Sequence, residues 1–238
     1  MNLGYACINM TLSGQKPKVT TNRSMIKKTF TEKGIDYAGE LGMLNAADLG
    51  RILRWNVENG IKVFRLSSEF FPWASEYKFE DLPQYLRIKT LLAGAGHYAK
   101  SNGMRLTCHP GPFNVLVSPH KHVVDNTITD LRIHGEIFDM LGLERSPYNK
   151  INIHCNGVYG DKQSAMDRFC KNFELLPESV QTRLTVENDD KASMYSVKDL
   201  MYIHERIGIP IVFDYHHHKF CTGDLSEQEA LELAISTW

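Results

Sequence analysis

The 238-residue sequence has no run of about 18 apolar residues, the length a bilayer-spanning helix needs, so no membrane span is expected. Its first residues, Met1-Asn2-Leu3-Gly4-Tyr5, lack the basic start and apolar core of a secretory leader. Net charge is also missing: 27 Lys and Arg stand against 28 Asp and Glu, so the whole-protein charge does not argue for a polyanionic partner. Cysteines are five, an odd number, and none is spaced C-x-x-C. That pattern fits free thiols in a reducing compartment and speaks against a disulfide framework or a structural zinc. No G-x-G-x-x-G or P-loop follows an apolar run, which removes the commonest nucleotide-binding readings. No linker or low-complexity tract divides the chain, so residues 1–238 read as one domain. What is present is ordinary globular composition, 42% apolar and 23% charged, which excludes disordered, collagenous and coiled-coil classes.

Short apolar runs rich in β-branched and aromatic residues recur at Leu3–Asn9, Ile61–Ser67, Arg105–Cys108, Ile151–His154, Leu184–Glu187 and Ile209–Asp214. Each is too short for a helix and reads as a buried strand. Helical periodicity lies between them. In Asn45–Asn59, Leu49, Ile52, Leu53 and Val57 fall on one face, with Gly60 as a stop. Val123–Leu141 and Ser196–Ile207 repeat the pattern before Gly142 and Gly208, and Ser226–Ile235 opens with a Ser226/Glu229 capping box. Residues 10–44 are predicted to be a long first loop; its 14–35 portion carries six cations against one anion. Residues 187–238 hold ten acids and four Lys or Arg. The alternation of strand and helix predicts an α/β fold with a parallel sheet, either doubly wound or a (β/α) barrel.

The polar residues cluster where strands end. Glu69 follows the second predicted strand, His109 the third, His154 closes the fourth, Glu187 begins Glu187-Asn188-Asp189 at the fifth, and Asp214 precedes three adjacent histidines at the sixth. In a parallel barrel these tips converge on the face that holds active sites. Carboxylates gathered together are costly without cations to offset their repulsion, and a His/Asp/Glu set without thiolates suits catalytic Zn, Mn or Fe rather than a structural site. Cys108 and Cys155 adjoin His109 and His154, point to the opposite face by strand alternation, and read as core. Three adjacent histidines cannot all face one metal, so at least one of His216, His217 and His218 is expected in solvent. His97, His134 and His204 on helices, with His120 and His122, are expected at the surface.

Tyr5-x-x-x-Asn9, Thr20-Thr21-Asn22-Arg23, Asn56-x-x-x-Gly60-Ile61 and Phe64-Arg65-Leu66-Ser67-Ser68 resemble motifs of the UV damage endonucleases. So do His109-Pro110-Gly111, His154-x-x-x-x-Tyr159-Gly160-x-Lys162, Glu187-Asn188-Asp189 and Asp214-x-x-His217-His218, in order through nearly the whole chain. The resemblance implies a TIM barrel related to endonuclease IV that nicks damaged double-stranded DNA on the 5′ side of ultraviolet photoproducts. It implies two to three divalent metals, manganese first, with zinc or magnesium as alternatives. Glu187 would bridge two of them, His109 and His154 would serve one, Asp214 the other and His217 a third, with Glu69 a further ligand position. Tyr5 and Asn9 would line the groove near the lesion. Thr21, Asn22 and Arg23 would contact phosphates, and Pro112, Phe113, Tyr159 and Lys162 would complete the DNA-binding set. A cytoplasmic or nuclear location would follow from that substrate.

Three departures qualify the resemblance. Some family members have histidine where Glu69 stands. The probing pair after His-Pro-Gly is Pro112-Phe113, in which Phe113 remains an apolar wedge while Pro112 has no amide to donate. The family also continues beyond its match to Thr237-Trp238, so about six of eight strand-helix units are expected here, with a C-terminal fragment or second chain completing the barrel. Two other readings stand beside it: a non-catalytic damaged-DNA-binding remnant, and a metal-dependent sugar isomerase or epimerase on a related barrel.

Overall fold

The computed structural model describes residues 2–238, which divide into two compact units. The first comprises residues 2–109 and Ile133–Glu144; the second comprises Pro110–Arg132 and Arg145–Trp238. Each carries three parallel strands.

In the first unit β1 (Gly4–Ala6), β2 (Val63–Leu66) and β3 (Arg105–Cys108) run in register, with Tyr5 opposite Phe64 and Leu66 opposite Cys108. Parallel neighbours need long crossovers. Helix α1 (Met10–Ser13) and the long α2 (Lys27–Glu58) join β1 to β2, and α3 (Tyr85–Ser101) joins β2 to β3. Helices α2 and α3 pack on each other, and Leu49, Ile52, Leu53, Ile88 and Leu92 are fully buried with Phe64 and Leu106 of the strands. The predicted stripe of Asn45–Asn59 is thus the core face of α2.

The expected loop over residues 10–44 is corrected at Met10–Ser13, which form α1, and from Lys27 onward, where the chain is helical with a break at Gly34 (φ 63°, ψ −161°). Three glycines in that stretch disguise the helix. One of them answers to packing: a Cβ on Gly42 would stand 2.4 Å from the Phe71 ring, whereas at Gly39 the nearest atom is the mobile end of the Gln84 side chain. Strand β1 is also shorter than expected, because Cys7 turns into the left-handed region (φ 62°) and Asn9 caps α1 through its side chain. His134, expected at the surface, is 3% exposed, since its turn of the next helix, α4 (Lys121–Met140), carries buried Leu131, Ile133 and Ile137 around it.

In the second unit β4 (Ile151–His154), β5 (Leu184–Glu187) and β6 (Ile211–Val212) form the parallel ladder, with Ile151 opposite Leu184 and Glu187 opposite Val212. Helices α5 (Lys162–Phe173) and α6 (Glu178–Gln181) join β4 to β5, and α7 (Val197–Ile207) joins β5 to β6. Beyond β6 come the one-turn α8 (Tyr215–His218) and α9 (Glu227–Ile235). Both α7 and α9 start with capping boxes, Ser196/Asp199 and Ser226/Glu229. The expected strand Ile209–Asp214 shrinks to two residues because Asp214 becomes the N-cap of α8. The Ile211 backbone is satisfied instead by side chains: Thr237 Oγ1 accepts from its N–H at 2.9 Å, and Trp238 Nε1 donates to its carbonyl at 2.8 Å.

Candidate metal centre

Strand register in the second unit builds the site. His154 and Glu187 are opposite one another at the ends of β4 and β5, so their side chains project on the same face. Two residues earlier on that face stand Asn152 and Thr185, also paired. Thr185 Oγ1 donates to Asn152 Oδ1 at 2.7 Å, and Asn152 Nδ2 in turn donates to Glu187 Oε2. One carboxylate oxygen is therefore pinned. The other, Oε1, lies 3.8 Å from His154 Nε2 and 3.4 Å from His217 Nδ1. Glu187 is only 7% exposed, and a buried carboxylate needs a cation or donors to hold its charge.

Asp214 and His217 come from the turn after β6. Asp214 Oδ1 accepts from the N–H groups of His216 and His217, at 2.7 and 2.9 Å, which sets the first turn of α8. Asn188, fully buried, clasps the Asp214 backbone from both sides: its Oδ1 accepts from Asp214 N at 2.8 Å and its Nδ2 donates to Asp214 O at 3.1 Å. His217 Nδ1 also lies 2.9 Å from Asn188 O, and with the proton there Nε2 is left as the free donor atom. Of the three histidines, His217 stands beside Glu187; His216 is exposed, and His218 is buried against Phe213.

Glu187, Asp214 and His217 offer ligand atoms within 4.8 Å of one another. Two oxygens and one nitrogen with no thiolate form a donor set that fits Mg, Mn or Zn. The electrostatics agree. Burial works to lower the His154 pKa, yet Asp189 at Nδ1 and the charge of Glu187 raise it above 6.5. The pocket thus favours positive charge, a proton or a metal cation, between its carboxylates.

Asp189, Asn152 and Asn188 take part in this arrangement without having been singled out as site residues from the sequence. The available signal was strand alternation: Asp189 lies two positions beyond Glu187, and Asn152 two before His154. Asp189 Oδ1 stands 3.3 Å from His154 Nδ1, the placement of a carboxylate that orients a metal-binding imidazole.

The other expected residues lie as follows. His109 follows β3 at the end of the first unit, and Glu69, exposed just after β2, shares no ligand cluster among the described residues. Tyr5 and Asn9 are linked: Asn9 Nδ2 donates to Tyr5 Oη at 2.8 Å, and Tyr5 Oη donates to Asn56 Oδ1 at 2.7 Å. Burial raises the Tyr5 pKa against the opposing pull of those two amides. Thr21 is buried, Asn22 is half-buried, and Arg23 Nη2 is paired with Asp48 at 2.6 Å. In the second unit Pro112 is exposed and Phe113 is 87% exposed, beside a buried Asn114 that donates to Gly111 O and to Asp130. Tyr159 is half in solvent with the Arg168 guanidinium 5.8 Å from its ring, and Lys162 pairs with Asp199 at 3.1 Å.

A model of the family described as UV-endonuclease UvdE matches residues 1–238. The chain is 35% identical over 279 residues to a UV-damage endonuclease of Neurospora crassa, covering 99% of this chain and 42% of that protein. Across three such curated relatives it spans between 37% and 55% of their length. The crystal structure of SacUVDE matches with a TM-score of 0.88 at 33% identity, over 100% of this chain and 77% of that one. A D-psicose 3-epimerase from Clostridium cellulolyticum H10 matches with a TM-score of 0.56 at 15% identity, over 80% and 65% of the two chains, a likeness of fold alone. The expected α/β class of TIM-barrel type is borne out.

Proposed function

The chain belongs to the UV-endonuclease UvdE family, and on that premise we propose that it is a DNA repair endonuclease that nicks the backbone 5′ to ultraviolet photoproducts. The observation that carries the chemical part is the buried Glu187, with one oxygen pinned by Asn152 and the other facing two imidazoles beside Asp214. Glu187, Asp214 and His217 would hold one divalent cation and His154 would add a nitrogen donor. His109 is proposed as a ligand on the resemblance, as is Glu69. Manganese is the preferred metal, with zinc and magnesium as alternatives, and the resemblance implies two to three ions.

When bound, such cations polarise a phosphate ester, lower the pKa of water and stabilise the leaving oxygen. The chain's own residues do the rest. Asn152 and Asn188 hold the ligands so that little rearrangement is needed as charge develops. Phe113, apolar and in solvent, is suited to enter a distorted base stack, and weakened stacking at a photoproduct lowers the cost of opening it. Tyr159 and Lys162 would add stacking and charge along the strand, while Thr21, Asn22 and Arg23, with Tyr5 and Asn9, keep the DNA-facing roles that the resemblance implies. No helix among the described residues is long and apolar enough to cross a membrane. The location proposed is the compartment that holds DNA, cytoplasm or nucleus according to the host.

The test is an end-labelled duplex carrying one thymine dimer, incubated with and without Mn²⁺. A 5′ nick that needs both lesion and metal supports the proposal. Photoproduct binding with no nick under any divalent metal would favour a damaged-DNA-binding protein, and turnover of a sugar panel would favour the epimerase-like reading.

A further inference from the structure

Asp189 spends its two carboxylate oxygens in different directions. Oδ1 faces His154 Nδ1 at 3.3 Å, while Oδ2 accepts from the Tyr195 N–H at 3.3 Å. The Asp189 N–H also donates to Tyr195 O at 2.9 Å, so residues 189 and 195 are tied by backbone and side chain together. Tyr195 is fully buried, and its hydroxyl donates at 2.9 Å to the carbonyl of Gly157. Burial leads the causes that raise the Tyr195 pKa, so this hydroxyl remains a donor.

Gly157 is the floor under Tyr159. Its φ is 77°, and a Cβ there would stand 2.8 Å from the Tyr159 ring, so only glycine leaves room for the aromatic. Tyr159 itself has φ 53°, a left-handed conformation that non-glycine residues adopt at a cost and that gathers at functional sites. The ring is 45% exposed, with the His120 ring edge-on at 6.2 Å. A single buried tyrosine thus ties the carboxylate behind a metal-ligand imidazole to the loop that presents an exposed aromatic.

We infer that Asp189 and Tyr195 are positioning residues forming one brace: Asp189 fixes the His154 imidazole for metal, and the Tyr195 hydroxyl fixes the Gly157–Tyr159 loop for DNA. This rests on the endonuclease reading for the nature of the ligand that Tyr159 meets, and on nothing beyond the structure for the brace itself. The two arms are separable, because Tyr195→Phe removes the hydroxyl and leaves both backbone bonds to Asp189 in place.

The experiment uses the full chain and three variants: Asp189→Ala, Asp189→Asn and Tyr195→Phe. Calorimetric titration reads Mn²⁺ affinity, imidazole ¹⁵N shifts of the metal-free protein read the His154 tautomer, and fluorescence anisotropy reads binding of a thymine-dimer duplex. Asp189→Ala should weaken Mn²⁺ about 10- to 100-fold and shift the His154 nitrogens. Asp189→Asn, whose Oδ1 still accepts from Nδ1–H, should restore most of both, and keeps the test valid if the alanine variant does not fold. Tyr195→Phe should leave Mn²⁺ affinity and the His154 shifts unchanged and weaken duplex binding about fivefold, the loss of one buried hydrogen bond. Unchanged Mn²⁺ affinity in Asp189→Ala, or a Tyr195→Phe that weakens metal and duplex alike or neither, overturns the brace. A protein that never nicks but shows the metal and tautomer effects would instead refute the endonuclease reading while leaving the Asp189 arm standing.

Discussion

Arg23 Nη2 lies 2.6 Å from Oδ2 of Asp48, a carboxylate whose side chain is 3% exposed. Asp48 also accepts from Arg51 Nη1 at 2.9 Å and from the Thr20 N–H at 3.1 Å, while Asn45, one turn earlier on α2, exchanges hydrogen bonds with the Arg23 backbone. The basic arm is therefore laced to α2 from within. Asp48→Asn removes the charge that holds two guanidinium groups and should cost about 2 kcal/mol. Thermal melting should fall, and limited proteolysis should cut residues 14–26 faster; an unchanged digestion pattern would show that the lacing does not hold the arm.

Two glycines of α3 should respond in opposite directions to alanine. Gly96 lies against a neighbouring backbone, where a Cβ would come within 1.8 Å of Leu141 O, whereas Gly94 has nothing within 4 Å. Gly96→Ala should destabilise by about 1–3 kcal/mol through overpacking against an oxygen that cannot swing aside. Gly94→Ala should stabilise by about 0.5–1 kcal/mol through helix propensity. Chemical denaturation of the two single variants reads both signs.

Phe113 is 87% exposed, so its removal costs no core packing. Phe113→Ala should leave the melting temperature unchanged and weaken binding to a dimer-containing duplex by about 1–3 kcal/mol, the range of a lost stacking contact. Equal binding by the two proteins would remove Phe113 from lesion recognition.

Asp161 caps α5, and hydrogen bonds from the Ser164 hydroxyl and backbone lower its pKa below 3.8. A carboxylate with a depressed folded pKa contributes stability that is present above the ordinary value and fades as pH falls through the folded one. Amide exchange in the first turn of α5 should accordingly quicken below about pH 4, relative to base-corrected rates. Asp161→Asn keeps an acceptor that does not titrate and should flatten that dependence. A wild-type turn with no acid sensitivity would contradict the capping role.

The core of the fold was readable because burial leaves a periodic trace: Leu49, Ile52 and Leu53 on α2, and the apolar runs that became β3, β4 and β5. The Ser226/Glu229 box was legible because both partners lie within one turn. The helical start of α2 at Lys27 was hidden, since Gly34 breaks the helix and Gly42 is a glycine for the sake of Phe71, far along the chain. Strand β6 was overextended for a related reason: Asp214 looks like a strand end and acts as a cap, which depends on Asn188 clasping its backbone. Within the site, Glu187, Asp214 and His217 could be picked out by residue type and position. Asp189 and Asn152 left only the weaker trace of strand alternation, because their role is set by which atom of a neighbour they face.

Binding of Mn²⁺ to the wild-type chain and to Glu187→Gln, measured side by side by calorimetry, tests the metal centre most directly. The substitution preserves size and keeps an oxygen for Asn152, and it removes the buried charge between His154 and His217. The wild type should bind Mn²⁺ and Glu187→Gln should bind at least about 100-fold more weakly, as expected when a charged ligand is lost. Equal Mn²⁺ affinity in the two proteins would contradict the assignment of Glu187 as the carboxylate around which the site is built.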